Sequence, residues 1–275
     1  MKILLTWATG FIGKELWKSL LTQGHKLIVV SRNKAKASSI FGSAIQVLTR
    51  EKINSISLQW IECVIHLAWS SLSDFPRNKT KKAIMRDSRI DTTRFLVNSL
   101  PDSCHSFICG SAIGYYPTDP EWEFDIDFIN TDPWSFLEQL CVDRESEANR
   151  AKTTKRRVVR LRTWIVIWPD KFDRLMRTTT KRIWGVILWS WEQRMSLITR
   201  DKRISNCIKI VNNLSIKGPV NMVHTHIRHE EYIINLAKEL NRPVRPKIPS
   251  WIIKTLLWDA SVLMLGSQKI TPTTF

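Results

Sequence analysis

The first 32 residues constrain this chain more than any other stretch. Lys2-Ile3-Leu4-Leu5-Thr6 is a short apolar run that meets a turn, the pattern of a buried parallel strand. Trp7-Ala8-Thr9-Gly10-Phe11-Ile12-Gly13 follows, and residues 14–23 then show helical spacing at Leu16, Leu20 and Leu21. Gly24-His25 reads as the stop of that helix, because glycine takes the left-handed conformation a helix end asks for. Residues 26–30 form a second apolar strand, closed by Ser31-Arg32-Asn33. Strand, glycine turn, helix and strand within about 30 residues make a βαβ unit. The bare N–H groups that open such a helix, together with its dipole, favour an anion, and a dinucleotide diphosphate sits there.

The glycine pattern is incomplete. Gly-x-x-Gly-x-x-Gly would put glycine at 7, 10 and 13; Gly10 and Gly13 are present, and position 7 is Trp. Thr9, Gly10, Phe11, Ile12 and Gly13 are the candidate diphosphate contacts. The second strand ends in Ser31 and Arg32, where an acidic residue would hold a ribose 2′-hydroxyl. A cation there suits a 2′-phosphate, so the residues favour NADP over NAD. The plainer readings are a βαβ unit that only packs and a solvated charge at Arg32.

Further along, apolar runs predict strands at 45–48, 64–68, 106–109 and 157–166, and helical spacing predicts helices at 81–100 and 135–151. Residues 118–133 read as an acidic loop. Strands alternating with helices, without hairpin signals, predict an α/β fold with a doubly wound parallel sheet. Ligands of such sheets bind beyond the C-terminal strand ends, here 7–13, Ser31-Arg32, Ala68-Trp69, 110–116 and 162–169. Residues 195–211 are basic and mixed, 230–240 read as a helix, and 251–265 as a largely apolar helix docked on the core. The expected division is a nucleotide-binding domain over 1–168, with a return strand near 217–223, and a small, mostly helical substrate lobe over 169–275.

Other function classes find less support. No run of 18 apolar residues exists, so no transmembrane span is expected. Cysteines 63, 104, 109, 141 and 207 lack paired metal spacing; with no export signal, they are expected to be reduced thiols in a cytoplasmic protein. His224-x-His226-x-x-His229 has only Glu230 and Glu231 beside it, and no metal site is expected. The net charge is +17, and residues 150–182 hold twelve Lys/Arg against two Asp. That leaves nucleic acid or anionic lipid open as a partner, with a solvated basic face as the plain alternative.

Several stretches match one family in order over nearly the whole chain. Besides residues 2–13 and Ser31-Arg32-Asn33 they are His66-Leu67-Ala68, Arg86-Asp87-Ser88-Arg89 with Thr92-Thr93, and Ser111-Ala112-Ile113-Gly114-Tyr115-Tyr116. Arg162-Thr163 with Ile165-Val166, Gly218-Pro219-Val220-Asn221 and Gly266-Ser267-Gln268-Lys269 complete the set. On these residues the chain resembles the extended or atypical short-chain dehydrogenase/reductase superfamily. Within it, the chain is similar to sugar-nucleotide epimerase-like proteins of the epimerase family, which end in a small C-terminal domain of unknown function. The resemblance implies a Rossmann fold that binds NADP, with Leu67, Ala68 and Arg89 among the cofactor contacts. It implies an epimerase or oxidoreductase acting on an unidentified small-molecule substrate. Ser111 matches the superfamily's catalytic serine, and Tyr115 or Tyr116 is placed to supply a phenol.

The superfamily's usual Tyr-x-x-x-Lys pair is missing, as it generally is from the branch this chain resembles. Four residues beyond Tyr115, Tyr116 and Tyr232 lie Asp119, Pro120 and Leu236. Other departures run in one direction. Trp7, Trp69, Trp164 and Trp168 stand where the pattern has glycine, as do Trp189 and Trp191. Arg77, Arg144 and Arg194 stand where it has tryptophan, and Thr199-Arg200-Asp201-Lys202 replaces a His-x-Asp-Asp element. The chain accordingly holds thirteen Trp against nine Gly. An indole at 7 is expected to crowd the diphosphate, and one at 69 to meet the adenosine side. The expectation is an intact fold with weakened cofactor affinity, or else indoles that stack on the cofactor rings. A non-catalytic binding or regulatory protein and a basic nucleic-acid-associated protein remain as alternatives.

Overall fold

The computed structural model describes residues 1–42, 45–54, 58–67, 79–167, 171–182, 185–188, 194–248, Thr255 and 266–275. Ala68, Trp69, Arg77, Trp168, Trp189, Trp191 and the expected helix over 251–265, apart from Thr255, lie outside the described residues. In chain order the first half runs β1 (Lys2–Thr6), α1 (Phe11–Thr22), β2 (Lys26–Val30), α2 (Lys34–Phe41), β3 (Gln46–Leu48), β4 (Cys63–His66), α3 (Lys79–Asn98) and β5 (Ser106–Ala112). Then come β6 (Asp119–Phe124), α4 (Phe136–Asn149), β7 (Arg157–Thr163), β8 (Ile165–Ile167), α5 (Lys171–Arg182) and β9 (Gly185–Leu188). The chain continues through β10 (Arg194–Thr199), α6 (Arg200–Asn212), β11 (Gly218–Met222), β12 (Thr225–Arg228), α7 (His229–Glu239), β13 (Val244–Ile248) and β14 (Gln268–Ile270).

Seven strands form one parallel sheet in the order β11-β7-β5-β4-β1-β2-β3. Alternate side chains of β1 enter different cores. Ile3 and Leu5 pack with Val29, Ile65, Leu16 and Leu20 of α1, and Ile210 of α6. Leu4 packs on the opposite face with Ile28, Val64, Phe107 and Leu96 of α3. Burial on both faces is why these strands read as continuous apolar runs. Strand order reverses at β1, which lies between β2 and β4. The crevice at such a reversal is where ligands of these sheets bind.

Local signals set the helix ends. Asn33 caps α2 by accepting from Lys36 N at 2.9 Å, and Ser135 caps α4 by accepting from Glu138 N at 3.2 Å. Thr199 caps α6 through Lys202 N at 3.2 Å. Gly24, at φ +80, ends α1 by donating to Leu21 O at 2.8 Å.

Three boundaries differ from the sequence reading. Helix α1 starts at Phe11, because Gly10 is its N-cap. The run over 157–166 divides at Trp164: β7 stays in the main sheet, while β8 pairs with β10 in a three-stranded sheet that also holds β12. The acidic segment 118–133 contains β6, which pairs in parallel with β14 near the C-terminus. A partner about 150 residues away, which no local pattern shows, makes that segment a strand. After residue 168 the described elements mix α5, α6 and α7 with strands, and α6 packs in the same core as α1.

All five cysteines are buried free thiols. Among the described residues, no helix is long and apolar enough to cross a membrane, and no three His, Cys, Asp or Glu are grouped to hold a metal.

Two buried histidines make stability depend on pH. Burial pushes His229 down to about 4 and His66 well below the ordinary histidine value. The unfolded chain takes up protons below about pH 6.5 that the folded protein refuses, so stability falls as pH drops. Each histidine contributes about 1.4 kcal/mol per pH unit between about 6.5 and its folded value. Urea unfolding at pH 7 and pH 5 is expected to show a lower midpoint at pH 5, and His229→Gln a shallower decline.

Candidate functional site

The site is built where β1 runs into α1. Gly10 caps the helix with extended backbone (φ −77, ψ 173) and no side-chain hydrogen bond. The turn is closed by Gly10 N donating to Trp7 O at 3.0 Å. A Cβ on Gly13 would overlap Trp7 O and come within 2.7 Å of Ala8 Cα. Only glycine lets α1 lie this close to the strand end, which aims the first-turn N–H groups into the crevice.

Trp7 has φ +61, the left-handed region that glycine enters freely. For an aromatic residue this strain is on the order of 1–3 kcal/mol. Its indole, 38% exposed, lies over the turn, so a Cβ on Gly10 would overlap Trp7 Cδ1 and Nε1. Thr9 and Phe11 are partly exposed beside it, while Ile12 and Gly13 are buried. At the end of β2 the Ser31 hydroxyl donates to Asn33 O at 3.1 Å, and Arg32 is exposed.

A pocket of about 200 Å³ opens next to this turn. Trp7, Phe11, Leu67, Ser111, Trp164 and Arg203 line it. They come from the turn after β1, α1, the end of β4, β5, the break after β7, and α6, so the expected strand ends 7–13, 110–116 and 162–169 contribute to it.

Beneath Ser111 lies a buried polar network. Ser111 Oγ donates to Glu145 Oε1 at 2.6 Å. Arg162 donates to both oxygens of the same carboxylate, from Nε at 2.9 Å and from Nη2 at 2.8 Å. Its Nη1 donates to Tyr116 Oη at 2.8 Å, and that phenol donates to Asn221 Oδ1 at 2.7 Å. Ser111, Glu145, Arg162, Tyr116 and Asn221 are all buried. The two-pronged guanidinium–carboxylate contact is the geometry that keeps such a charge pair tolerable away from water.

The two tyrosines stand behind the serine. The Tyr115 ring faces the Arg162 guanidinium at 3.6 Å, and its Oη accepts from Asn130 N at 3.2 Å. Tyr116 packs among Phe124 and Phe128. Burial raises the pKa of its phenol, and the nearby Arg162 only partly opposes this. Thus Ser111, Gly13 and Leu67 meet at the pocket, whereas both tyrosine hydroxyls are engaged in the interior.

Arg89 is buried on α3, where Nη1 donates to Met85 O at 3.0 Å; burial and the neighbouring Arg144 push it down to about 10. Nearby, the Thr93 hydroxyl donates to Arg89 O at 2.8 Å, so it accepts from His66 Nε2 at 3.1 Å. That assignment leaves His66 Nδ1 to accept from Thr6 Oγ1 at 3.0 Å, a neutral tautomer that ties β1, β4 and α3 together.

Glu145 and Arg203 escaped the sequence reading. Glu145 lies four residues after Cys141 and three before Ala148, both buried on α4, and that spacing was its available signal. Arg203 was hidden in a basic, mixed stretch.

Replacing Arg162 by Ala would leave the Glu145 charge buried without its main partner. The expected loss is about 3–5 kcal/mol in denaturant unfolding. Arg162→Ala combined with Glu145→Gln is expected to lose less than the two single changes summed.

Comparisons with known proteins agree with this architecture. The family model for the NAD dependent epimerase/dehydratase family matches residues 3–159. An epimerase family protein SDR39U1 homolog, chloroplastic, from Arabidopsis thaliana is 29% identical, over 99% of this chain and 80% of its own length. Epimerase family protein YfhF of Bacillus subtilis is 26% identical, over 99% and 90%. Human epimerase family protein SDR39U1 (isoform 2), solved with NADPH, superposes with a TM-score of 0.85 at 21% identity, covering 99% of this chain and 91% of that one. UDP-glucuronic acid 4-epimerase from Bacillus cereus, solved with UDP-glucuronic acid and NAD, gives 0.72 at 18% identity, covering 100% and 90%. At these identities the superpositions show the shared fold.

Proposed function

This chain belongs to the NAD dependent epimerase/dehydratase family, and we propose that it binds NADP(H) across the β1–α1 turn and holds a small hydroxyl- or carbonyl-bearing substrate over Ser111. The observation that carries this reading is the start of α1, where no side chain caps the N–H groups, at the point where strand order reverses.

The backbone suits the cofactor. Gly13 brings α1 against β1, and the first-turn N–H groups suit the diphosphate. Arg32, exposed at the end of β2, suits the 2′-phosphate and supports NADP over NAD. The NADPH in the related human structure supports the same choice. Among the described residues the Trp7 indole stands in the way: it covers the turn, and in this proposal it rotates into solvent on binding.

When bound, the nicotinamide supplies hydride transfer. The chain's own part is to orient the substrate and handle its proton. The Ser111 proton points at Glu145, which leaves Oγ lone pairs to accept from a substrate hydroxyl in the pocket. Ser111 then takes the substrate proton and passes its own to Glu145 Oε1, a route that needs no Tyr-x-x-x-Lys pair. Arg162 holds the carboxylate in place. A second reading, a relative that keeps the fold without turnover, is favoured by the placement of Trp7.

NADPH titration, followed by energy transfer from tryptophan to the dihydronicotinamide, tests the proposal. Saturable binding stronger for NADPH than for NADH is expected. Arg32→Ala should weaken NADPH about tenfold, about 1.4 kcal/mol, with little effect on NADH. Trp7→Gly should tighten both at least about tenfold. Absence of binding up to about 1 mM by the folded protein and by its Trp7→Gly variant would overturn the cofactor reading.

A further inference from the structure

The segment between Tyr116 and α4 differs from the rest of the chain. No Lys or Arg lies between His105 and Arg144, against eight Asp and Glu, although the whole chain carries +17. Within that stretch Trp122, Ile129 and Trp134 are 66%, 72% and 71% exposed, and Ile126 is exposed beside them. One exposed apolar side chain is ordinary on a protein surface. Four large ones within residues 122–134 mark a surface built for contact.

Inward side chains fasten this segment to the body of the protein. The Phe124 ring packs on Tyr116 at 5.6 Å and on Phe128 at 4.8 Å. Asn130 Nδ2 donates to Tyr115 O at 2.9 Å, and Thr271 N donates to Phe124 O at 2.8 Å. The carboxylates of Glu121, Asp125, Asp127 and Asp132 are exposed together with the apolar residues. Lys269 answers Glu123, but among the described residues no ion pair engages those four. Asp125 closes a turn by accepting from Asp127 N at 2.9 Å, which leaves its charge unpaired. Indoles, isoleucines and unpaired carboxylates therefore share one tethered segment.

We propose that this face docks a basic segment of a partner protein, whose arginines meet the carboxylates while its apolar side chains cover Trp122, Ile126, Ile129 and Trp134. Charge complementarity selects the partner. Nucleic acid and an anionic membrane carry the charge that this face repels. A symmetric pairing of two such faces would set carboxylate against carboxylate, which disfavours a second copy. Arginine fits both components, because its guanidinium pairs with carboxylates and stacks on indole rings. Tryptophan and arginine are also the side chains that dominate binding energy where proteins meet. The surface does not depend on the cofactor reading above, and it stands or falls separately.

Fluorescence anisotropy of a labelled peptide of alternating arginine and leucine, titrated with the full chain, tests the surface. Two control peptides replace arginine by glutamate or leucine by serine. Saturable binding of the arginine–leucine peptide is expected, weakening with added salt. The serine peptide should bind at least tenfold more weakly, and the glutamate peptide not at all. Trp122→Ser with Trp134→Ser should weaken the arginine–leucine peptide at least tenfold. So should Glu121→Gln, Asp125→Asn, Asp127→Asn and Asp132→Asn combined. Both variants change exposed side chains and should melt with wild type; if the tryptophan pair melts lower, Trp134→Ser alone carries that arm. Sedimentation of the chain without peptide should be the same for wild type and variants. Equal affinity in wild type and both variants, equal binding of the serine peptide, or no binding up to about 1 mM overturns the proposal. Self-association of the wild type that these changes abolish also overturns it, because the face would then belong to a second copy.

Discussion

The contact on which the rest depends is the close seating of α1 on the end of β1. Gly13 meets the backbone of Trp7 and Ala8 at a separation no Cβ would permit. That seating fixes where the helix points and puts its bare N–H groups at the centre of the sheet. It also brings Leu16 and Leu20 onto Leu5 and Val29, and it sets the trough into which α6 packs. The anion-attracting end of the helix and the largest apolar core are thus products of the same approach. A residue with any side chain at 13 would disturb both.

The second constraint is electrostatic. Glu145 and Arg162 are both buried, on α4 and β7, and their pairing places a carboxylate directly behind Ser111. Buried ion pairs of this kind contribute little net stability, because desolvation offsets most of the attraction. Their consequence here is orientation. The Ser111 proton is directed inward, its lone pairs outward, and Tyr116 and Asn221 extend the chain of donors toward β11 and the tail strand. The tyrosines, singled out as candidate phenols, hold this network in place from behind. Their hydroxyls are already engaged, whereas Ser111 and Thr163 both line the pocket.

Trp7 shows how local strain and a site can coincide. Its backbone holds the left-handed conformation that a glycine would take freely. The fold has kept the turn's shape although the residue suited to it is missing. The surplus indole has gone to the space above Gly10, where an anion would otherwise approach. At this position the hydrogen bond from Gly10 to Trp7 O closes the turn while the indole lies over it.

The sequence by itself determined the βαβ opening, the parallel α/β sheet and the glycine turn. Those depend on local periodicity and on Gly10, Gly13 and Gly24, whose roles can be read from their neighbours in the chain. It also singled out the indole at 7. Only the tertiary structure decided that Ser111 faces Glu145, that β6 is a strand, and that Arg203 opens onto the pocket. The reason is physical. Glu145 meets Ser111 across 34 positions and β6 meets β14 across about 150, and pairings at that range are set by packing geometry, which no local pattern encodes. An arginine in a basic stretch looks like any solvated charge until the fold withdraws water from it.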